Sequence, residues 1–325
     1  MTIDGLMFRA ERGRAFEVPK LHRRTPCLLV LLGLLLGVAS VARAQDIEPR
    51  AYSNAPIGVN FLISGYVYTQ GSLPTDPSIP VTSSHLTTSS AVLAYGHVFD
   101  FFGQSARINV ATAYGGLGGS AVLAGQPIQR SVDGLSDTIL RVSTNLYGAP
   151  AMDLREFRNY QQDLILGASV TVTLPTGQYD SSRLVNIGTN RWSFRPELGA
   201  SKAFGPLTFE LAAGPVFFTD NTNFLNGHVR SHAPIGSVQS HAIYDFGNGI
   251  WAALDAQYFT GGSTAIDGQG NEDLQSNWRV GATLALPLNQ NFSLKLSAST
   301  GVYARTGNNY DLVGVFVQYR WGAGL

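Results

Sequence analysis

Long runs in which apolar and polar residues alternate constrain the fold of this chain more than any other feature. In the segment 313–321, valine, tyrosine and tryptophan occupy every second position, and mostly small or polar residues lie between them. The segments 164–174, 278–286 and 292–299 repeat the pattern. Successive side chains of a β-strand point to opposite faces. Each run therefore predicts a strand with one apolar face and one polar or small face.

A soluble β-sandwich would show the same alternation, but three further features favour a transmembrane barrel. Several runs reach 10–14 residues, whereas an ordinary strand has ~5–6 and ~9–11 suffice to cross a bilayer. The faces opposite the apolar ones are rich in Gly, Ser, Thr and Asn, as in a barrel lumen. Tight turns, as at 100–103 and 247–249, alternate with longer polar loops, as at 176–190 and 221–235.

The pattern predicts an all-β fold, a transmembrane antiparallel β-barrel of about twelve strands. An even strand number puts both termini on the periplasmic side, together with the short turns. The stretch 149–162 lies on that side and predicts either a short helix or a plain loop. The predicted strands lie at 57–70, 85–99, 105–116, 136–147, 162–174, 191–204, 207–219, 236–246, 249–261, 275–288, 291–304 and 311–321.

Residues 1–44 differ from the rest of the chain. A basic stretch from Arg9 to Arg24 precedes an uncharged apolar run at 27–41, and the small residues of Ala42-Arg43-Ala44 follow. The run is shorter than the ~20 residues of a membrane-spanning helix. This arrangement predicts a cleavable signal peptide over 1–44 and an outer-membrane β-barrel over 45–325, with an uncleaved membrane anchor as the alternative.

Composition excludes several classes of protein. The 22 Lys and Arg residues balance 22 Asp and Glu residues, so the basic excess of a nucleic-acid-binding protein is missing. The one cysteine, Cys27, lies in the predicted signal peptide, which excludes a disulfide framework and a cysteine-based zinc site. We therefore expect no nucleic-acid partner and no cofactor.

The histidines do not form a recognisable catalytic or metal site. His228 and His232 are four residues apart in a predicted loop, and they would form a ligand pair only on a helix. His241 and Asp245 share a strand face but lie about 13 Å apart at ~3.3 Å per residue. We therefore expect neither a catalytic triad nor a metal centre, and the chain is not predicted to be an enzyme.

Two glycine-rich stretches have plain interpretations. Residues 115–119 (GGLGG) lack the Lys-Ser/Thr of a phosphate-binding loop and are predicted to form a hairpin loop. Residues 267–273 (DGQGNED) miss the EF-hand spacing, and a calcium site in that loop remains an alternative.

Charged residues recur on the parity that faces the barrel interior. They could line a water-filled lumen and set its selectivity, or several of them could pair across strands and plug it. Charges on the lipid face would cost about 2–4 kcal/mol for Arg or Lys at mid-membrane, which supports the inward facing. The predicted lumen-lining residues are Arg107, Arg141, Arg195, Glu197, Glu210, Asp255, Arg279, Lys295 and Arg320.

The chain also resembles a known bacterial family. The stretches that carry the resemblance are 49–52 (PRAY), 189–197 (TNRWSFRPE), 210–214 (ELAAG), 217–220 (FFTD), 281–288 (GATLALPL) and 319–322 (YRWG). Together they resemble the family labelled putative MetA-pathway of phenol degradation. The resemblance implies an outer-membrane barrel of Gram-negative bacteria, encoded near genes for degrading aromatic compounds, that transports hydrophobic small molecules.

We therefore expect a channel or transporter in the bacterial outer membrane that passes small, hydrophobic or aromatic molecules by passive diffusion. Its expected partners are outer-membrane lipid, the solute and, during biogenesis, the barrel assembly machinery. One alternative is a closed barrel with a structural or surface-interaction role. Another is a secreted soluble β-sandwich.

Overall fold

The computed structural model describes residues 47–72, 81–123, 126–307 and 309–324. The predicted signal peptide lies outside the described residues. In chain order the strands are β1 (Val59–Ser72), β2 (Val81–Phe101), β3 (Gln104–Leu123), β4 (Gln126–Leu135), β5 (Thr138–Tyr147), β6 (Leu164–Leu174), β7 (Ser193–Phe204), β8 (Leu207–Phe218), β9 (Asn221–Phe224), β10 (His228–His232), β11 (Ile235–Gly247), β12 (Ile250–Gly261), β13 (Thr264–Ile266), β14 (Gln269–Gly270), β15 (Gln275–Pro287), β16 (Phe292–Ala304) and β17 (Asn309–Gly322).

Twelve of these strands form a closed antiparallel barrel. Around the wall the order is β1, β2, β3, β5, β6, β7, β8, β11, β12, β15, β16 and β17, and β17 pairs with β1 to close the barrel. All twelve predicted strands correspond to wall strands. The predicted fold class is therefore confirmed, and the soluble sandwich is excluded.

The outer face of the wall is apolar, as the alternation predicts. Exposed leucine, tyrosine and valine side chains such as Leu93, Tyr66 and Val315 occupy it. Their neighbours along the strands point inward, and many are buried polar residues such as Glu197 and Gln239. This distribution inverts that of a soluble protein and suits a barrel whose outside contacts lipid.

Short turns lie at one end of the barrel, called the turn end here, and long loops lie at the other, called the loop end. Two hairpins at the turn end have two-residue turns with positive φ at both positions, Phe102 (52°) with Gly103 (79°) and Asn248 (53°) with Gly249 (78°). These angles match the backbone twist of antiparallel hairpins. The stretch 149–162 also lies at the turn end and contains the one-turn helix α1 (Leu154–Phe157), which Asp153 caps.

Five strands lie outside the wall, in segments predicted as loops. β4 pairs with residues 114–123 of β3. The strands β9, β10, β13 and β14 form a separate sheet at the loop end. The predicted hairpin loop at 115–119 is wrong, because these glycines lie inside β3. A Cβ at Gly115 would come within 2.3 Å of the Ser89 carbonyl oxygen, so the close approach of β2 requires glycine there.

Loops at the loop end are held by buried carboxylates. Asp137, between β4 and β5, accepts hydrogen bonds from the backbone of Gly177 (2.9 Å) and Thr189 (2.8 Å). The Thr189 hydroxyl also donates to Asp137 (2.6 Å). Asp273 accepts from the backbone and the hydroxyl of Thr264 in the same way. No helix among the described residues is long and apolar enough to cross a membrane.

Candidate functional site

The N-terminal segment, residues 47–58, runs into the barrel from the turn end. At its C-terminal end, the backbone N–H of Ile57 donates to Met152 (2.9 Å) and that of Gly58 donates to Val98 (2.8 Å). At the other end, Ile47 reaches the inward face of Gly281 in the middle of β15. The segment therefore occupies part of the lumen. The sequence did not reveal this, because a short non-periodic stretch before the first strand resembles an ordinary lead-in.

Tyr52 anchors the N-terminal segment to the inner wall. The residue is 2% exposed, and its hydroxyl donates to Glu197 (3.0 Å) and lies 3.3 Å from the Ser169 hydroxyl. A Cβ on Gly167 or Gly199 would come within 2.3 or 2.1 Å of the ring, so the two glycines form the slot that holds it. The ring therefore lies inside the barrel and not at the membrane interface.

Arg50 meets the acidic side of the lumen. Its backbone N–H donates to Glu210 (2.7 Å), and its guanidinium forms an ion pair with Asp245 (3.0 Å). The guanidinium also lies 4.9 Å from the centre of the Trp251 ring. A cation placed over an aromatic ring and beside a carboxylate gains from both. These contacts fix the position of the segment against β8, β11 and β12.

Glu48 meets the cationic side of the lumen. Its carboxylate accepts from Arg141 (2.8 Å), and Arg107, Arg195 and Lys295 act on it electrostatically. We call these four side chains, Arg107, Arg141, Arg195 and Lys295, the cationic ring. They come from β3, β5, β7 and β16, so strands on different sides of the barrel contribute to it. The opposite charges of Glu48 and Arg50 therefore match two different regions of the inner wall.

A buried His–Asp pair lies deeper in the wall. His241 Nδ1 is 2.6 Å from Asp255 Oδ1, and the hydroxyl of Thr283 donates to the other Asp255 oxygen (3.2 Å). The Ser201 hydroxyl donates to Glu210 (2.9 Å) and not to the His–Asp pair. The sequence alone relates His241 only to Asp245, which lies on the same strand. The cross-strand partner could not be identified until the register of β11 against β12 was known.

The inner wall formed by β17, β1 and β2 is mainly apolar. We call its half-buried inward side chains, Phe61, Ile63, Val67, Val92 and Phe316, the apolar wall. Because these side chains point away from lipid, the surface they expose faces the interior of the barrel. The interior therefore has a polar, densely hydrogen-bonded side covered by the N-terminal segment and an apolar side that remains accessible.

All nine predicted lumen-lining residues lie at inward-facing positions of their strands. Arg141, Glu197, Glu210, Asp255 and Arg279 are buried there, and Arg107, Arg195 and Lys295 are half-buried. Arg320 is exposed at the turn end, where its Nε donates to the carbonyl of Gln290 (2.7 Å). Whether these residues line a conducting path remains a prediction.

Some interior charges pair within the wall, and others pair with the N-terminal segment. Glu197 pairs with Arg141 (3.1 Å), and Glu210 accepts from the N-terminal segment. Arg279 donates to the carbonyl of Tyr310 (2.9 Å) and to the Ser299 hydroxyl (2.8 Å). The wall and the N-terminal segment thus both supply partners to the acidic and cationic regions.

The loop-end histidines and carboxylates have partners of their own. His228 and His232 lie on strand β10 rather than on a helix. His228 pairs with Asp267 (2.5 Å), and the His232 ring packs against Phe218 with 4.3 Å between ring centres. No group of three or more His, Cys, Asp or Glu side chains among the described residues is arranged to hold a metal ion.

A closed barrel with an apolar exterior and a charged interior defines a membrane-spanning β-barrel protein. The family model described as "Putative MetA-pathway of phenol degradation" matches residues 64–320. The chain belongs to this family, which confirms the resemblance seen in the sequence.

A solved structure supports the same fold. The chain is similar to an outer membrane channel from Pseudomonas putida, with a TM-score of 0.72 and 19% identity over 85% of this chain and 100% of that one. It is more distantly similar to the transport unit of the autotransporter AIDA-I from Escherichia coli (TM-score 0.48, 12% identity, 86% and 94% covered). The translocator domain of the autotransporter NalP from Neisseria meningitidis is similar at a TM-score of 0.43 (11% identity, 84% and 91% covered). No curated protein matches the chain.

Proposed function

We propose that this chain is an outer-membrane channel that passes small hydrophobic or aromatic molecules by passive diffusion. The observation that carries the proposal is the partial exposure of the apolar wall toward the barrel interior. Such space beside polar groups is typical of a solute path. Family membership supports the aromatic solute class, and the similar protein from Pseudomonas putida is itself an outer membrane channel.

The proposed topology places the turn end in the periplasm and the loop end outside the cell. We propose that residues 1–44 are removed as a signal peptide and that the barrel assembly machinery inserts the mature chain. The mature chain would then begin at Gln45, so that only Gln45 and Asp46 precede the N-terminal segment. Outer-membrane lipid would cover the apolar exterior, and transport rather than catalysis would be the activity.

Conductance in planar lipid bilayers tests the proposal. A water-filled path gives discrete ohmic current steps at both polarities when the purified protein is added. The absence of steps from correctly inserted protein would instead support the second candidate, a closed barrel with a structural role. The contacts of Glu48, Arg50 and Tyr52 with the inner wall favour that candidate.

The solute class is tested separately by uptake. Cells that carry the gene should accumulate a labelled phenol faster than cells without it, and the difference should disappear for a large polar sugar. Equal uptake in both strains would contradict the proposed solute class without affecting the channel assignment.

A further inference from the structure

Carboxylates bind the cationic ring at Arg141. Arg141 is bound by Glu197 of the wall and by Glu48 of the N-terminal segment. Glu48 is thus a carboxylate supplied by the terminal segment rather than by the wall, and it contacts Arg141 of the cationic ring directly (2.8 Å). The Nε atoms of Arg107 and Arg141 are buried and lack hydrogen-bond partners among the described residues. Arg107 and Arg141 therefore have N–H groups that neither Glu48 nor Glu197 binds.

Two aromatic side chains lie directly beside the cationic ring. The Arg107 guanidinium is 5.7 Å from the centre of the Phe61 ring, and the Lys295 ammonium is 5.2 Å from that of Phe316. Phe316 lies flat on the wall because neighbouring glycines leave room for it, and a Cβ at Gly65 would come within 2.2 Å of its ring. A ligand with a planar apolar body and a carboxylate would match both surfaces at once.

We propose that the cationic ring is a binding site for aromatic carboxylates and that Glu48 occupies it as an internal competitor. This rests on the proposed function, since it names the solute class of the same lumen. The Glu48 side chain presents to Arg141 the same chemical group as the ligand would. Because the segment is tethered inside the barrel, its effective concentration at the ring is high, and a free carboxylate must displace it.

Equilibrium binding of benzoate to the purified mature protein in neutral detergent tests the proposal. Removing the competitor by Glu48→Gln should tighten benzoate binding at least tenfold. Adding Lys295→Gln to that variant should weaken binding again, because one cation of the ring is lost. Glu156→Gln, which changes an exposed carboxylate at the turn end, is the matched control and should bind like the wild type. Circular dichroism verifies that each variant is folded.

Two neutral or smaller probes define the chemistry. Benzyl alcohol, with the same ring and no charge, should bind Glu48→Gln at least tenfold more weakly than benzoate. Acetate, with the charge and no ring, should also bind more weakly. Equal benzoate affinity in wild type and Glu48→Gln, or equal affinity for benzoate and benzyl alcohol, would overturn the proposal. Binding in detergent does not require conduction, so this result is independent of the bilayer test.

Discussion

At the scale of single residues, Tyr52 anchors the N-terminal segment in the lumen. Its ring fills the slot formed by Gly167 and Gly199, and its hydroxyl donates to Glu197. Truncating a buried aromatic side chain to alanine costs about 3–5 kcal/mol. Since Tyr52 contacts the wall from a terminal segment, most of that loss should appear as release of the segment rather than as unfolding of the barrel.

Tyr52→Ala is therefore expected to increase the single-channel conductance at least twofold, because a released segment leaves more of the lumen open to ions. The measurement is the current step in planar bilayers. Tyr66→Ala is the matched control, since Tyr66 is a tyrosine on the outer face that is 53% exposed. The control should conduct like the wild type. An unchanged conductance in Tyr52→Ala would show that the segment does not restrict the lumen.

The positions of the two charged residues of the segment could not be predicted from the sequence. Glu48 and Arg50 are two residues apart before the first strand. Such a pair of opposite charges is common, and the sequence does not indicate which residues it will contact. Their partners, Arg141 and Asp245, lie far along the chain. Only the closed barrel brings these groups together, so the site depends on tertiary structure and not on a local motif.

At the scale of elements, the wall strands could be predicted because their alternation is long and two-sided. The short strands β9, β10, β13 and β14 could not, since two to five residues in a polar loop show no period. The register between strands was also inaccessible. It decides, for example, that His241 lies opposite Asp255.

Asp137 is expected to control the order of the loop between β6 and β7. It accepts three hydrogen bonds from Gly177 and Thr189, and losing them should cost about 3 kcal/mol of local stability. Asp137→Ala should therefore speed amide hydrogen exchange in residues 176–189 while the wall strands stay protected. Asp133→Ala, an exposed position on β4, is the control. Protection that persists in Asp137→Ala would contradict the anchoring role.

The loop-end sheet is expected to weaken in acid through His232. Burial, and then the charges of Arg191 and Arg230, lower the pKa of His232 to about 2 from an ordinary value of 6.5. When the sheet opens, the pKa of His232 returns to about 6.5 and the imidazole binds a proton below that pH, whereas in the closed sheet it stays neutral. The free energy that favours the closed sheet is therefore undiminished above pH 6.5 and falls by about 2 kcal/mol by pH 5.

Hydrogen exchange of residues 228–232 at pH 8 and at pH 5, corrected for the intrinsic rates, measures this effect. Protection should fall at pH 5 in the wild type. His232→Phe keeps a ring against Phe218 but cannot take a proton, so its protection should change less between the two pH values. An equal loss of protection in both proteins would assign the effect to another group.

At the scale of the whole molecule, the barrel separates two environments across a single layer of side chains. The outer face is apolar, as contact with lipid requires, and the inner face carries charges that pair with one another and with the N-terminal segment. A charge introduced on the outer face should therefore be far more costly than one on the inner face of the same hairpin.

Val317→Lys and Ser297→Lys compare the two faces on adjacent strands. Val317 is exposed on the lipid side, while Ser297 lies opposite the inward-facing Gly314. Val317→Lys should lower the free energy of unfolding from vesicles by about 2–4 kcal/mol, measured by urea titration. Ser297→Lys should lower it by less than half as much. Similar losses for both variants would contradict the assigned facing.

Spin-label accessibility along β17 shows directly whether the closed barrel has lipid outside and an aqueous lumen inside. Single cysteines at positions 315 to 318 of the mature protein in vesicles carry the label, and collision rates are measured with oxygen and with a water-soluble nickel chelate. We expect high oxygen and low nickel accessibility at positions 315 and 317 and the opposite at 316 and 318. Accessibility that does not alternate, or that shows all four positions equally shielded, would contradict the barrel with an aqueous lumen.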